Sequence, residues 1–447
     1  MRRRWCSERR CWRRGALAAL ALISLALGGC GRPGASLQPA VTLQVLISSG
    51  RISERFNRAH LRQVVDGEVA DFSRSNPQVS LHVRYVPEEE VLATIHKRSD
   101  LGTGPDLMIS RVPLALLMAR EGLSQPSGLT DRELGPLRLR HLQEFRAGDR
   151  YAALPFLLQP NLACYNRRVL AKPPRSLAEL LRVGEEGRRI GLSLILDQVS
   201  WTGTIFGAQD PLLRLFDTPV TEPAGRALSG TDRERVLNWL AWLYRANVNP
   251  NIQFSDTNED LAERFMAREL DWISCNSAVI PTLRKALGKD LGLAVLPGAS
   301  EKQPAQAVAR LQMISFGRDS SAAQREAAQD FALFLLNDYS QNVLMTRTEG
   351  ILPVNANVIV PVKRSDLLAA IQQSESSAIV PTFQRAVGVR LERVPLSRLI
   401  KQNVYGEIPP AEALAKIEAL ARSRSRIAAL GSELPAGGRR RDPSAQD

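Results

Sequence analysis

The chain has 447 residues, of which 44% are hydrophobic and 23% charged, and its formal net charge is +13. Only four histidines are present, which argues against a histidine-based metal site, and we predict no metal and no other cofactor. The length exceeds what one small core needs, so two lobes are expected.

The first 29 residues have the composition of an export signal. Residues 2–14 contain seven arginines and one acid, and GALAALALISLALGGC follows. A basic start, a short apolar run and small residues at its end are typical of a cleaved secretory signal, and the run is too short to span a bilayer. LGGC at its end resembles a bacterial lipobox, in which Cys30 takes the lipid. An ordinary cleaved signal with an incidental cysteine is the alternative.

Much of the basic charge belongs to this signal. Removing residues 1–29 lowers the formal charge from +13 to +7. GRPGASLQPA follows as a tether, and lipid chains anchor a protein without spanning the membrane. The remaining basic residues are spread along the chain, with one cluster at 439–442. We therefore predict a solvated surface and no nucleic-acid partner.

Strands and helices alternate through the first part of the domain. VTLQVLI (41–47) and DLMIS (106–110) predict buried strands, and VSLHVRYV (79–86) predicts an alternating one. Residues 53–75 show helical spacing, and 87–98 begin with a proline and three acids, which suits a helix start. The expected result is a βαβαβ unit with a parallel sheet.

The stretch LGTGPDLMIS (101–110) carries two glycines before an apolar run. A phosphate-binding loop would contain Lys-Ser/Thr and follow a strand, whereas this stretch precedes one. We interpret the glycines as a tight helix-to-strand connection. Asp106 and Ser110 are then expected at the carboxyl edge of the sheet, where open α/β sheets bind ligands.

The second part of the domain continues the pattern. YAALPFLLQPNLACYN (151–166) predicts two strands separated by a Gln-Pro-Asn break, and Ser176 predicts a helix N-cap. In the helix predicted at 233–248, Trp239 and Trp242 share one face and are expected in the core. Cysteine is uninformative here, because a bridge and two buried thiols are equally consistent with one pair inside the domain. That pair is Cys164 and Cys275.

Several segments in order resemble a known family. They are GTGPDLMIS, ALPFLLQPNLACYNRRVL, PPRSLAELL, FMARELDWISCNSAVIPTL, DLGLAVLPG, AAQDFALFLL and EGILPVNANV. Over roughly residues 41–430 they resemble the family 1 extracellular solute-binding proteins, which include maltose-binding protein and serve ABC importers. The resemblance implies an α/β protein with the two-lobe periplasmic-binding-protein fold, type II-like. Its ligand cleft lies between lobes joined by hinge segments.

The resemblance also divides the chain. We predict a lipoprotein signal peptide (1–29), a lipidated cysteine with its tether (30–40) and the first part of the N-terminal lobe (41–152). A mainly C-terminal lobe with hinge crossings (153–310), returning segments with C-terminal helices (311–430) and a flexible tail (431–447) follow.

Candidate ligand-binding residues follow position by position from the resemblance. Ser48 and Ser49 stand where the family has its first cleft loop, and Ser110 and Arg111 where it has the second. Gln159 occupies a place where sugar-binding relatives often carry an acid. Glutamine both donates and accepts, so it can still bind hydroxyls. Asn161 is expected close by.

The family often has Gly-x-Trp, with the tryptophan stacked on a sugar ring, where this chain has Asn276 and Ser277 followed by alanine. Trp201, in the predicted loop QVSWTGTIFG, is the candidate replacement platform, and lobe core is the alternative for it. Trp272 falls in an apolar strand and is expected in the core. Glu349 is placed either at the cleft border or in a surface loop.

The candidate set is mostly uncharged, which favours a neutral polyhydroxylated ligand. Arg111 is the exception and could meet a carboxylate or phosphate. Aromatic residues make up 5% of the chain, which favours a small glycoside over a long oligosaccharide.

We therefore predict a monomeric substrate-binding lipoprotein that is not an enzyme. It captures a sugar, glycoside or similar polyol and delivers it to an ABC permease at the periplasmic side of a bacterial membrane. The same trap for an anion or compatible solute is the alternative, followed by an exported glycoside hydrolase. A hydrolase would show paired carboxylates or a Gly-x-Ser-x-Gly elbow. No such elbow occurs, and we interpret the acids at 88–90 and 256–260 as solvated helix starts.

Overall fold

The computed structural model describes residues 41–49, 55–216, 228–303, 305–307, 310–348, 350–378 and 393–432. The strands are β1 (Val41–Ser48), β2 (Val79–Val86), β3 (Leu107–Arg111), β4 (Ser124–Gln125), β5 (Arg146–Ala147), β6 (Arg150–Tyr151), β7 (Leu154–Gln159), β8 (Asn161–Asn166), β9 (Ile190–Ser193), β10 (Ile252–Ser255), β11 (Trp272–Asn276), β12 (Leu291–Ala294), β13 (Arg310–Gly317) and β14 (Leu352–Pro353).

Helices alternate with these strands over most of the described chain. They are α1 (Arg55–Ser75), α2 (Glu88–Ser99), α3 (Val112–Arg120), α4 (Leu139–Leu142), α5 (Leu177–Glu185), α6 (Leu196–Ile205), α7 (Gln209–Phe216), α8 (Gly230–Val248), α9 (Asn258–Met266), α10 (Ile280–Leu287), α11 (Ala322–Leu336), α12 (Asp338–Thr348), α13 (Asp366–Ser377), α14 (Arg393–Val404) and α15 (Pro410–Ser432).

Two large sheets organise the molecule. The first has the order β14–β7–β13–β3–β1–β2, with β4 also paired to β13, and the second has the order β10–β9–β11–β8–β12. We call the sheets with their helices the first and the second lobe. In the first, β1 and β3 are parallel and β13 is antiparallel to both β3 and β7. In the second, β9, β10 and β11 are parallel and β8 is antiparallel to β11.

Continuous apolar runs explain the central strands. Every residue of β3, β7, β8, β11 and β13 is buried, as expected for strands covered on both faces by helices. β2, at the edge of the first sheet, instead alternates between exposed and partly buried positions, and only its two end residues are buried. The predicted strands at 41–47, 79–86 and 106–110 are thereby confirmed to within a residue or two.

Helix starts follow local capping chemistry. The Ser176 side chain accepts a hydrogen bond from the backbone nitrogen of Glu179, which confirms the predicted N-cap. Ser321 and Gln324 form a reciprocal capping box at the start of α11. Such caps satisfy backbone donors that have no partner inside the helix.

Over the described ranges, the chain passes between the two sheets three times. A single residue, Pro160, separates β7 of the first sheet from β8 of the second. Residues 295–309 return the chain from β12 to β13, and residues 354–365 lead from β14 to α13, which packs on β8 and β12. The predicted lobe boundaries 41–152, 153–310 and 311–430 are not tested by this path and stay a prediction.

The second lobe has an aromatic core. Trp239 and Trp242 of α8 and Trp272 of β11 are buried in it, as predicted. The Trp239 Nε1 donates to Thr202 Oγ1 over 2.8 Å, so this buried indole is satisfied. α14 and α15 pack on α8 and close the core.

Asp106 is the one residue of the Gly-rich stretch that the structure places differently. It precedes β3 and so lies at the amino end of that strand, opposite the end that carries Ser110. Its carboxylate accepts hydrogen bonds of 2.7 Å from the Gln44 backbone and the Ser320 hydroxyl. The expectation that Asp106 lies at the carboxyl edge is wrong, because the strand begins only after it. The glycines do form the helix-to-strand connection between α2 and β3.

No helix within the described ranges combines the length and the apolar character needed to cross a bilayer.

Candidate functional site

Polar residues stand where strands of the first sheet end. Because β1 and β3 are parallel and Ile47 lies opposite Ile109, the next residues along, Ser48 and Ser110, reach the same edge. Both serines are buried. Ser49, one residue further, is half-buried and donates its backbone N–H to Val86.

β13 enters the first sheet at this same edge and adds two residues to it. Its antiparallel register places Arg310 opposite Gln159 of β7 and Gln312 opposite Arg111 of β3. All four side chains are buried.

The second sheet contributes an asparagine pair. Asn161 at the start of β8 lies directly opposite Asn276 at the end of β11, and Asn276 Nδ2 donates to Asn161 Oδ1 over 3.2 Å. Asn276 Oδ1 in turn accepts from the Ala278 backbone over 2.9 Å and caps the turn that follows β11. The amide thus orients both the neighbouring strand and the turn.

The two edges adjoin at the first crossing. Only Pro160 separates Gln159 from Asn161, and its carbonyl accepts a hydrogen bond of 3.1 Å from the backbone of Ser277. Gly350, between α12 and β14, packs so closely on this turn that a Cβ would lie 2.4 Å from the Ser277 carbonyl oxygen. Only a residue without a side chain fits there, and its φ of +112° also favours glycine.

The structure therefore brings together most of the predicted set. The members that gather at the two sheet edges are Ser48, Ser49, Ser110, Arg111, Gln159, Asn161, Asn276 and Ser277. Trp201 is elsewhere, and Glu349 lies outside the described residues.

Trp201 belongs to the core of the second lobe. It is 1% exposed and lies in the same apolar cluster as Trp239. The segment around it forms helix α6, although we predicted a loop. The lobe-core alternative is therefore confirmed for Trp201. The prediction that it forms a platform for a sugar ring is wrong, because the helix turns the indole into the core.

Several polar atoms at the joined edges are buried without a hydrogen-bond partner among the described residues. Burying such atoms unpaired is costly, so each atom of this kind at the joined edges is a candidate contact for a ligand. They include donors and acceptors, and all belong to neutral side chains. They are Ser48 Oγ, Gln159 Oε1, Asn161 Nδ2, Ser277 Oγ and Gln312 Oε1.

One charged pair crosses the first-lobe edge. The Arg111 guanidinium contacts the Glu88 carboxylate through both Nε and Nη2. The two side chains are 9% and 17% exposed. Glu88 does begin helix α2, as interpreted, but it is an ion-pair partner and is not solvated. Glu259 lies in the first turn of α9, also as interpreted, but it is buried.

Sequence reasoning missed Gln312 and Glu88. Gln312 is one polar residue inside the apolar run RLQMISFG, which is the only local signal it gives. Glu88 has no signal that separates it from Glu89 and Glu90, since three consecutive acids suit any helix start. Both positions depend on long-range strand pairing.

A disulfide joins the same two strands that carry the asparagine pair. Cys164 of β8 and Cys275 of β11 are bonded, with a Cα–Cα distance of 5.9 Å. The question that the sequence left open between a bridge and two thiols is thus answered as a bridge. It ties together the two strands that carry Asn161 and Asn276.

This cluster of polar residues is neither a metal site nor part of the described cavities. Within the ranges that the structure describes, no three His, Cys, Asp or Glu side chains are grouped to hold a metal ion. Two first-lobe cavities, of about 140 and 430 Å³, are lined by other residues. The five unpartnered atoms named above all belong to neutral side chains, and the charged members of the cluster are Arg111, Glu88 and Arg310.

Comparisons with known proteins identify a family and a fold. Residues 69–370 match a family described as bacterial extracellular solute-binding protein. A comparison with curated proteins found no match to this chain. Family and structural relatives are binding proteins.

Solved structures share the fold at low sequence identity. The GacH receptor of Streptomyces glaucescens GLA.O, described unliganded and with acarbose, has a TM-score of 0.68 at 16% identity over 86% of this chain and 99% of its own. Maltose-bound MalE3 of T. maritima has a TM-score of 0.66 at 16% identity, over 86% of this chain and 100% of its own. A tagatose-bound solute-binding protein of Thermotoga lettingae TMO has a TM-score of 0.65 at 15% identity, over 87% of this chain and 100% of its own. These likenesses confirm the predicted two-lobe α/β fold.

Proposed function

This chain belongs to the bacterial extracellular solute-binding proteins, and we propose that it captures a neutral, polyhydroxylated solute for an ABC importer. The solute class is a sugar, a glycoside or a related polyol. Membership confirms the predicted family and implies a place of work outside the cytoplasmic membrane. The ligand class, the permease and the anchor are our proposal.

The observation that carries the ligand class is the set of buried neutral polar atoms without partners. Gln159 and Gln312 present acceptors, Asn161 presents a donor, and the hydroxyls of Ser48 and Ser277 can do either. A hydroxyl-rich ligand supplies both donors and acceptors at close spacing. It would complete hydrogen bonds that the protein alone leaves unmade.

Charge at the same edge supports a neutral ligand. We expected Arg111 to be the group that could meet a carboxylate or phosphate. Its guanidinium is instead in contact with Glu88, so this pair adds no net charge, and Arg310 is the other buried cation at the same edge. An anion would have to displace a partly buried carboxylate to reach Arg111.

The relatives support the sugar class. The solved structures with the same fold are described with acarbose, maltose and tagatose, all of them sugars or sugar-like compounds. Their identity to this chain is too low to transfer individual contacts, so the argument for this chain depends on its own polar atoms.

The mechanism follows from two lobes that both supply polar groups. A solute that contacts Gln159 and Ser48 on one lobe and Asn161 and Ser277 on the other favours the arrangement in which the lobes are closed. The permease then recognises the closed form. Binding without turnover is sufficient for this role, so we propose that the protein is not an enzyme.

The N-terminal segment supplies the location. Residues 1–40 lie outside the described residues, and their sequence supports export, lipidation at Cys30 and a short tether. A lipid anchor would hold a monomeric trap at the periplasmic side of the membrane and raise its effective concentration at the permease.

The test is thermal unfolding of the chain from Leu37 onward against sugars, glycosides, polyols, compatible solutes and organic anions. A ligand that binds only the folded state stabilises it by about 2.7 kcal/mol at a hundredfold excess over Kd. We expect a raised midpoint with one neutral polyhydroxylated compound. A rise only with an anion or an amino-acid-like solute would discard the ligand class and retain the trap.

A further inference from the structure

The cavity of about 140 Å³ in the first lobe holds charged groups that the proposed function does not use. We infer that it is a second binding site, separate from the cleft, for a small aliphatic α-amino acid. All of its lining residues belong to α1 or α12, and none of them is in the cleft set. They are Gln63, Val64, Glu68, Val343, Leu344 and Arg347.

Glu68 gives this cavity an anionic group. The residue is 1% exposed, and its carboxylate oxygen Oε2 has no hydrogen-bond partner among the described residues. Leaving an ionised oxygen buried and unpaired is costly, so a positively charged donor is the partner that stabilises it most. An ammonium group is such a donor and is small enough for the cavity.

Arg347 gives the cavity a cationic group opposite Glu68. Its side chain is exposed, and its Nη1 lies 3.7 Å from the position that a Cβ on Gly67 would take. The guanidinium therefore lies over α1 next to Glu68. Burial has the largest effect on the pKa of Glu68 and raises it, while the charge of Arg347 acts in the opposite direction.

The two charges together select a zwitterion. The fork of guanidinium donors matches the two oxygens of a carboxylate, while the Glu68 carboxylate accepts from an ammonium group. An α-amino acid carries both groups on adjacent atoms. A simple amine or a simple carboxylate would satisfy one side of the cavity and leave the other unpaired.

The size and the walls of the cavity limit the side chain of the ligand. About 140 Å³ is the volume of about five water molecules in the liquid, so the ligand is no larger than a small amino acid. Val64, Val343 and Leu344 supply aliphatic walls. Such walls favour an alkyl side chain over a polar one.

The experiment is calorimetric titration of the protein with alanine at fixed ionic strength. Because burial raises the pKa of Glu68, the titration is run at pH 8, where the carboxylate form is favoured. Ethylamine is alanine without its carboxylate, and propionate is alanine without its ammonium group. We expect saturable one-to-one binding of alanine and at least about tenfold weaker binding of either analogue, since each lacks one charge-assisted contact.

Variants assign the binding to the cavity. Glu68→Gln and Arg347→Gln should each weaken alanine binding by at least about tenfold, and Arg347→Lys should fall between, because it keeps the charge and loses the fork. Glu89→Gln and Arg364→Gln make the same changes in charge at exposed positions outside the cavity and should bind alanine like the wild type. No binding of alanine to the wild type, equal binding of one analogue, or an equal loss in the control variants would overturn the inference.

The outcome is separable from that of the proposed function. Gln159→Ala alters the cleft and should leave alanine affinity unchanged. Loss of alanine binding in Gln159→Ala, with retention in Glu68→Gln, would place alanine in the cleft and overturn this inference. A wild-type protein that binds no neutral sugar or polyol would contradict the proposed function and leave the alanine result as it stands.

Discussion

The side-chain amide of Asn276 donates to the side-chain oxygen of Asn161 over 3.2 Å, directly across two antiparallel strands. This is the last pair between β8 and β11, and it lies where the chain crosses from the first sheet into the second. Asn161 Nδ2 keeps a donor without a partner among the described residues. The pair is thus both a structural link and a candidate contact for the solute.

The disulfide behind this pair is expected to stabilise the second lobe. Replacing Cys164 and Cys275 together with serine should lower the free energy of unfolding by about 2–5 kcal/mol, because the bridge closes a long loop. The bonded residues are 111 positions apart. Urea unfolding of the two proteins measures the difference.

A reducing agent provides the control for the disulfide. It should lower the unfolding midpoint of the wild type toward that of the variant and leave the variant unchanged. An unaltered midpoint in both experiments would contradict the stabilising role of the bridge.

Gln159 and Gln341 form a matched pair of buried glutamines with opposite predictions. Gln341 Nε2 donates to the carbonyls of Phe156 and Leu335, and its Oε1 accepts from the Val354 backbone. Gln159 Oε1 has no such partner among the residues that the structure describes. Gln341→Ala should therefore destabilise the fold by about 2 kcal/mol more than Gln159→Ala, since it removes several satisfied hydrogen bonds.

Ligand affinity should show the reverse order. Gln159→Ala is expected to weaken binding of the solute by about tenfold or more, which corresponds to one lost hydrogen bond to the ligand. Gln341→Ala should leave affinity unchanged at temperatures where it is folded. Titration of both variants checks this, and equal affinity in Gln159→Ala and the wild type would remove Gln159 from the site.

Trp201 is expected to matter for stability and not for binding. Truncation to alanine should cost about 3–5 kcal/mol, as for other large buried aromatic residues. Trp201→Phe should remain folded and retain ligand affinity. Loss of affinity in Trp201→Phe without loss of stability would show that the indole contacts the solute after all.

Glu68 predicts a pH-dependent stability. The residue is 1% exposed, and burial raises the pKa of its carboxyl from 4.5, partly opposed by the nearby Ser340 side chain. A raised folded-state pKa means that the ionised form costs the folded state free energy once the pH rises above the unfolded value. Glu68→Gln should stabilise the protein at pH 7 by about 1–2 kcal/mol.

The pH profile of that gain is the decisive part. It should shrink as the pH falls toward 4.5, where the glutamate of the wild type is increasingly protonated in both states. Thermal midpoints of the variant and the wild type between pH 4 and 8 test this, with the exposed Glu89→Gln as control. A gain that is independent of pH would contradict the assignment to ionisation.

Much of the fold could be predicted from local patterns. The β-branched run at 41–47, the helical spacing at 53–75 and the capping serine at 176 are each encoded within a few residues. Local chemistry decides such elements, so they were found. Trp201 was misplaced because glycine and threonine beside it suggest a loop, and only packing against the rest of the lobe makes that segment helical.

The positions of the candidate site residues could be predicted from the sequence, whereas the ion pair between Arg111 and Glu88 could not. Ser48, Ser110, Gln159 and Asn276 follow from the family resemblance, and the structure places each of them at or next to the end of a strand. The contact between Arg111 and Glu88 depends on the order of strands in the sheet. That order is set by the global fold, and no local signal reports it. The disulfide was undetermined for the same reason.

The measurement that tests the account most directly is calorimetric titration of the wild-type chain from Leu37 onward with neutral sugars and polyols, each beside its uronic acid or phosphate. We predict one-to-one binding of a neutral compound, binding of its charged counterpart weaker by about tenfold or more because Glu88 occupies Arg111, and recovery of the ligand unchanged. Preference for the charged member of a pair, or conversion of the ligand to a product, would contradict a trap for neutral solutes.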